Sequence, residues 1–483
     1  MTPTRREGRC PWLREAIAEG ETDAPQLIGK SQSDICIVGG GLAGLWTAIE
    51  LQRQSPGLSI SIVEADICGG GASGRNSGMV LSQWAKFAAL EAFGGSEDAI
   101  RLGHAFAGSA AFLREFCAAE DIDAEIRGDG WIWGATCKAH MGAWNCILAT
   151  LARHDLHPFR GIDAPTITAM TGSQSFMGGI YDPEACTLHP GKLVRGLRRA
   201  ALRRGIAIYE NSPMTELKRA SPVEVITAKG SITAERVVLT MNAWSLAIPE
   251  LRSGIVVMTS DDAVTAPVPD RLKQAGYFEK PLMGDSQTFV TGFRSTKDHR
   301  FNPGISGGVI GFGRLGFGQG AGHRFEGRSS REQAIHEVVK RGHPALADIP
   351  FAESWCGPID RTRSGLPLFG PLPGHPDIFY GYGFSGNGLA TTPVAGRILA
   401  SLALGKRNEW SSCGLVRTPE RWLPPEPIRY IGAHMVRAAI RRKDAQEQLG
   451  RAVDPVSRGL SAFAPGGITT SRPIKSKRGA GHG

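Results

Sequence analysis

At 483 residues the chain is too long for one ordinary core, so two domains are expected. Its 41% hydrophobic and 21% charged content is that of a globular enzyme, and it holds no run of about 18 apolar residues, which excludes a transmembrane helix. The net charge is +9, but Tyr430–Gly483 carries ten Lys/Arg against three Asp/Glu, so the excess lies in a C-terminal tail rather than over a whole surface.

The charged N-terminus, Met1–Cys10, is not followed by an apolar signal core, which argues against secretion. The nine cysteines form no CxxC and match no zinc spacing, so no metal is expected. Their odd, scattered set reads as reduced thiols in a cytoplasmic protein.

In chain order, a short amphipathic piece (Trp12–Ala18) precedes a buried parallel strand, Asp34–Val38. A glycine turn follows, then a helix from about Leu42 to Gln54 and a second strand at Ser59–Val63. A second glycine-rich loop runs from Cys68 to Gly78. Helical spacing predicts one long helix over Glu97–Glu120, and Trp131-Ile-Trp133 suggests a strand. His189–Leu202 reads as a helix, followed by strands at Ile206–Tyr209, Val223–Thr227 and Ser231–Leu239, the last two a β-meander. Residues 250–330 are strand-like, and Arg331–Arg341 is helical. Trp355–Gly370 reads as a Pro/Gly-punctuated segment. A strand at Ile378–Gly381 leads through a turn into a helix at Pro393–Leu404. A short basic helix (Met435–Gln448) precedes a tail, Asp454–Gly483, whose Gly/Pro/Ser composition predicts disorder.

Gly39-Gly-Gly41-Leu42-Ala43-Gly44 contains GxGxxG between an apolar strand and a helix, the context this motif requires. Gly39 permits the tight turn, Gly41 the approach of a pyrophosphate, and Gly44 close packing of helix on strand. The helix N-terminus offers free N–H groups and a positive dipole end to a diphosphate. Glu64, at the end of the second strand, can accept hydrogen bonds from both ribose hydroxyls and would repel a 2′-phosphate. The second loop decides between dinucleotides. Its Ser73, Gly74, Arg75, Asn76, Ser77 and Gly78 suit FAD, with Arg75 facing phosphate and Asn76 and Ser77 the flavin edge. Farther along, Gly383, Ser385, Gly386, Asn387 and Gly388 form a strand-to-helix turn fit to stabilise the anionic pyrimidine edge of a reduced flavin.

These segments together resemble the FAD-dependent oxidoreductases of the D-amino acid oxidase, glycine oxidase and sarcosine oxidase superfamily. The matches are VGGGLAGL (38–45), GASGRNSG (71–78), LTMNAWS (239–245), WCGPIDRTRSGLPLFG (355–370) and GYGFSGNGLA (381–390). The GASGRN loop is most similar to γ-glutamylputrescine oxidoreductases. WLREAI (12–17), WAKF (84–87), GPIDR (357–361) and EPIRYIGAHMVRAAIRRKD (426–444) look like the aminophosphonate oxidoreductases.

The resemblance implies an α/β (α+β overall) fold, with a Rossmann-type FAD-binding domain and an antiparallel-sheet substrate domain. The implied boundaries are an N-terminal extension over 1–30, FAD-binding segments 31–120, 185–248 and 350–405, substrate segments 121–184 and 249–349, and a basic extension over 406–483. It also implies an adenine contact near Met214. Glycine oxidase-like chains carry a carboxylate-binding Arg after W-x-G-x, and sarcosine oxidase-like chains a flavin-linking Cys there. Aligned from Trp355 that position is Ile359, so simple α-amino acids become less suitable and FAD is expected to be non-covalent.

The activity so implied is oxidation of the C–N bond of a small amine. A neutral amine gives hydride to flavin N5 and the imine hydrolyses, which needs little acid–base machinery. An anionic substrate, such as an aminoalkylphosphonate or its N-methyl derivative, needs cations. Arg361, Arg294 (strand Phe289–Arg294) and Arg314 (after the strand Gly307–Gly313) are the candidates, with Asp360 a possible partner of Arg361. Lys86 could supply positive charge for oxygen reduction. The electron acceptor is oxygen or a carrier. Two other readings stay open: a flavoenzyme acting on a nucleic-acid-linked amine or polyamine conjugate, and a flavin subunit without catalysis of its own. The tail lacks the interleaved aromatics that nucleic-acid binding favours.

Overall fold

Among the described residues two eight-stranded sheets carry the chain, beside a two-stranded pairing of Met79–Val80 with Cys186–Thr187. The computed structural model describes residues 8–18, 21–313, 325 and 327–466. In the first sheet the strands run Leu368–Leu372, His375–Tyr382, Gly230–Leu239, Gly29–Val38, Ile60–Val63 and Ala207–Tyr209. Gly29–Val38 pairs in parallel with Gly230–Leu239 on one side and Ile60–Val63 on the other. Its last four residues, Ile35–Val38, are buried, as an apolar run covered on both faces requires. Gly230–Leu239 serves two neighbours. Its first half pairs antiparallel with the meander Met214–Lys218 and Val223–Thr227, and its last three residues pair in parallel with His375–Tyr382.

Helices Leu42–Gln54 and Gly388–Ala403 lie against each other. They touch backbone to backbone: a Cβ on Gly396 would stand 2.9 Å from the Trp46 carbonyl. Because each follows a strand of the first sheet, their N-termini emerge at the same sheet edge.

The second sheet has the order Phe351–Arg361, Val256–Thr265, Phe301–Ile305, Thr291–Ser295, Leu282–Asp285, Trp131–Ala135, Gly178–Asp182 and Arg160–Asp163. Every pairing is antiparallel except Leu282–Asp285 with Trp131–Ala135. A mixed, largely parallel sheet beside a largely antiparallel one is the architecture expected from the sequence.

Three expectations differ from what is observed. The Pro/Gly-punctuated segment is in its first half an eleven-residue strand, Phe351–Arg361. Pro358 is tolerated because this is the edge strand, where a missing N–H costs no ladder bond. The strand pairs with Val256–Thr265, so a boundary placed at residue 350 cuts the antiparallel sheet. The long helix is two, Phe87–Ala107 and Ser109–Ala119, and the first is kinked where Gly95 takes φ 81°. The C-terminal helix is longer than its basic part, Ile428–Gln448, and Pro455–Ser461 is a further helix capped by Asp454, not a disordered stretch. Among the described residues no helix is long and apolar enough to cross a membrane.

Candidate functional site

A cavity of about 270 Å³ runs between the two sheets, from the glycine turn at Gly39 to the helix N-terminus at Gly388. Gly39, Gly41, Leu42 and Ala43 form one end, where helix Leu42–Gln54 starts. Gly39 takes φ +113°, and Gly44 backs so closely on the Gly39 carbonyl that no side chain fits between helix and strand. Gly44 therefore shapes the turn from behind the wall. Glu64 lines the same end. Its carboxylate accepts hydrogen bonds from the Gly40 N–H (2.6 Å) and the Asp66 N–H (2.9 Å). Burial pushes its carboxyl up to about 7, with the nearby Asp66 and Glu210 adding to the effect. Met214, buried at the start of its strand, also lines this end.

The second glycine loop forms the floor. Ser73, Arg75, Asn76 and Ser77 line the cavity, while Gly74 and Gly78 sit behind it. Ser73 Oγ accepts from the Leu42 N–H (2.9 Å), which ties the loop to the helix start. Arg75 donates to the carbonyls of Gly70 (3.0 Å) and Phe325 (2.8 Å). Asn76 bridges its own loop, donating to the Ser73 carbonyl and accepting from the Gly78 N–H. At the far end Gly386, Asn387 and Gly388 line the cavity. Gly383 and Ser385 do not; they anchor the turn, the Gly383 N–H donating to the Asp360 carboxylate and the Ser385 N–H to the Asp360 carbonyl.

Two helix N-termini, a half-buried carboxylate and two glycine loops thus converge on one elongated cleft, which suits a dinucleotide. Residues 34–402 match the family model described as "FAD dependent oxidoreductase". The chain belongs to that family. It is 26% identical over 381 residues to gamma-glutamylputrescine oxidoreductase of Escherichia coli (strain K12), covering 77% of this chain and 84% of that protein. Among solved structures it is similar to glycine oxidase from Geobacillus kaustophilus, with a TM-score of 0.64 at 20% identity, covering 78% of this chain and 96% of that one. L-proline dehydrogenase from P. horikoshii has a TM-score of 0.64 at 16% identity, covering 81% and 100%.

As in other FAD dependent oxidoreductases, the cofactor is FAD, and the residues present fit it. Among the described residues Asn387 Nδ2 and Thr392 Oγ1 of the cavity wall are buried without a hydrogen-bond partner. Such groups are costly unless something polar meets them. The glycine cradle, Glu64 and the helix N-termini could hold the dinucleotide, and Asn387 and Thr392 lie beside the second helix start.

The opposite wall comes from the antiparallel sheet, and it holds a group the sequence reading passed over. Asp262 lines the cavity, fully buried, and accepts from Ser77 Oγ at 2.7 Å. Burial pushes its carboxyl up to about 7, against the pull of Ser77 and Arg294. A carboxyl titrating there can take a proton from an ammonium group at neutral pH. The signal was present in the sequence as two adjacent carboxylates inside the apolar strand Val256–Thr265. Asp261 is the structural one of the pair, held by Arg331 (2.9 Å) and Ser329 (2.7 Å). Trp131, Met283 and Trp244 also line the cavity and were not singled out in the sequence.

The four predicted cations do not gather in one place. Arg361, at the end of its strand, is buried and lines the cavity. It forms no ion pair among the described residues, its one hydrogen bond there being from Nη1 to the Gly466 carbonyl (3.3 Å). The expected pair with Asp360 is not made, because neighbours on a strand point to opposite faces. Asp360 instead accepts from Asn242 (3.0 Å) and the 383–385 turn. Burial lowers Arg361 to about 10 despite the Asp360 charge. Arg294 does not line the cavity. It lies behind Gly78, donating to Asn302 Oδ1 (3.0 Å) with its guanidinium over the Trp12 ring (5.2 Å). Arg314 lies outside the described residues.

Lys86 is buried beside Arg361 and Gly365 and does not line the cavity; burial, then the Arg361 charge, lowers it to about 7. The unfolded chain holds this proton up to about 10.5. Lys86 therefore destabilises the fold fully below about pH 7, and the loss is regained as pH rises toward 10.5. Relative to the unaltered protein, Lys86→Met should be more stable at pH 6 than at pH 10 by about 1–3 kcal/mol, read as the difference in melting temperature at the two pH values. An equal gain at both pH values would show that the buried charge is not the cause.

Proposed function

We propose that the chain oxidises the C–N bond of a small amine that also carries an anionic group, an aminoalkylphosphonate or its N-methyl derivative being the type. The observation that carries this reading is Arg361, a buried guanidinium in the cavity wall with Nε unsatisfied and no carboxylate bound to it among the described residues. A buried cation is costly unless an anion meets it, and a guanidinium grips phosphonate or carboxylate through two N–H groups. The Ile359 side chain stands where glycine oxidase-like chains hold a substrate carboxylate, so the anion binds two residues farther on.

When bound, FAD would supply the hydride acceptor for the carbon bearing nitrogen, and hydrolysis of the imine by water would give a carbonyl compound and ammonia, or methylamine from an N-methyl substrate cleaved on its larger side. Asp262 receives the proton that the ammonium form must lose, and Ser77 orients the carboxylate. In this reading FAD is held without a covalent bond, because Ile359 takes the aligned position at which sarcosine oxidase-like chains carry the flavin-linking Cys. Oxygen or a carrier would take up the two electrons.

Anaerobic bleaching of the flavin absorbance tests this with 2-aminoethylphosphonate, its N-methyl derivative, γ-glutamylputrescine, sarcosine and glycine. Rapid bleaching by the phosphonates is expected; bleaching by γ-glutamylputrescine alone would place the substrate among cationic conjugates, and bleaching by none would sink the small-amine reading. The rate of bleaching should rise with pH through an apparent value near 7, because protonated Asp262 cannot accept the proton. Asp262→Asn should lose that limb and react about 100-fold more slowly. An unchanged pH profile would remove Asp262 from the chemistry.

A further inference from the structure

A second cavity, of about 320 Å³, lies against the outer end of the antiparallel sheet. Val256, Met258 and Ile310 form its floor, and most of its lining comes from residues 422–465, beyond the segment that matches the family model. Helix Ile428–Gln448 forms its roof and Leu460–Pro465 closes its side. Most of its lining is apolar, with Thr288, Arg361, Arg429 and Arg437 the charged or hydroxyl-bearing residues, and Arg429 is already paired with Glu426 (2.6 Å). Arg361 is the residue common to its wall and that of the flavin cavity.

We propose that this chamber binds an apolar arm of the substrate, so that the substrate class is an amine carrying an anionic group and, attached near it, an alkyl or aryl substituent. The inference rests on the reading of Arg361 as the anion site. Three observations support it. Arg361 is buried with Nε unpartnered at the junction of the two cavities, so an anion seated there reaches both. The chamber's rim includes Ile428, Met435 and Phe463, which are 61%, 52% and 69% exposed, so it opens to solvent. The C-terminal segment is fixed to the junction itself, through the Gly466 carbonyl that Arg361 binds and the close approach of Gly466 to Ser364. A segment absent from the matched family region thus supplies most of an apolar wall next to the anion site.

The test uses the flavin-loaded, full-length protein and straight-chain carboxylates from butanoate to decanoate as probes, read by perturbation of the flavin spectrum and by calorimetry. Each methylene buried in the chamber should tighten binding about fourfold, from about 0.8 kcal/mol per group, until the chamber is full. Gly432 lines the chamber, and a Cβ there would meet nothing within 4 Å, so a larger side chain can enter without displacing its neighbours. In Gly432→Phe the ratio of octanoate to butanoate affinity should fall to near one, with melting temperature and flavin content reporting that the variant folds. Equal affinity for the two acids in the unaltered protein, or a chain-length dependence kept in Gly432→Phe, overturns the chamber. If butanoate itself binds no more weakly to Arg361→Met, the anion reading fails instead, and the two failures are told apart.

Discussion

Gly39→Val should purify with less than about a tenth of the flavin of the unaltered protein. Gly39 takes φ +113°, which an L side chain rarely adopts, and a Cβ there would stand 2.7 Å from the Thr240 carbonyl oxygen. That oxygen is backbone of the residue following the central strand Gly230–Leu239, so it cannot swing aside. The turn must therefore open, and the start of helix Leu42–Gln54 shifts with it. Backbone strain of this kind costs about 1–3 kcal/mol. Displaced N–H groups add the loss of their pyrophosphate bonds, about 1–3 kcal/mol more. Together they weaken FAD binding by a factor of roughly 30 or more. The ratio of flavin to protein absorbance reads this directly. Gly39→Ala, which has the same φ and a smaller side chain, should retain more FAD, and circular dichroism separates loss of cofactor from loss of fold. Full occupancy in the valine variant would mean that the turn is not where the cofactor is held.

The cofactor half of the molecule was legible because its signals are local. GxGxxG between Asp34–Val38 and Leu42–Gln54 fixes a βα turn within one short window, and the observed helix bounds coincide with those expected. Glu64 and the loop to Ser77 follow within the same unit. The antiparallel half was harder to read. Its strands meet across long gaps, as when Phe351–Arg361 pairs with Val256–Thr265, and short strands such as Arg160–Asp163 and Gly178–Asp182 carry no strong alternation. Asp262 illustrates the difficulty. Its neighbour Asp261 is equally conspicuous in the sequence, and only the pairing decides that one meets Arg331 and the other faces the cavity. Arg294 is the converse: a strand arginine of the expected kind whose Nε meets Asn302 and whose guanidinium lies over Trp12, behind the wall and out of the cavity lining. Which face a strand residue takes depends on register, and register is set by partners distant in sequence.

Arg361→Met should lower kcat/KM for an anionic amine by roughly 100- to 1000-fold, about 3–4 kcal/mol, while leaving flavin content unchanged. The magnitude follows from burial. Arg361 is 5% exposed and has no carboxylate partner among the described residues, so a bound anion meets its charge with little screening. Methionine follows the stem of the arginine side chain to about the position of Nε and removes the charged fork, so the stem still fills its part of the wall while the ion contact is lost. Arg361→Lys should fall between the two, because an ammonium keeps the charge but not the two-pronged grip. An uncharged amine of the same length should react equally with both proteins. If that amine loses as much as the anionic one, Arg361 acts on the shape of the site and not on the anion. Asp262 makes the comparison sharper. It faces the same cavity with opposite sign, so Asp262→Asn should impair every amine, whereas Arg361→Met should impair only those that carry the anion. A substrate bound by both groups is held at two points on the cavity wall, which places its C–N bond and leaves the remainder of the molecule to extend past Arg361.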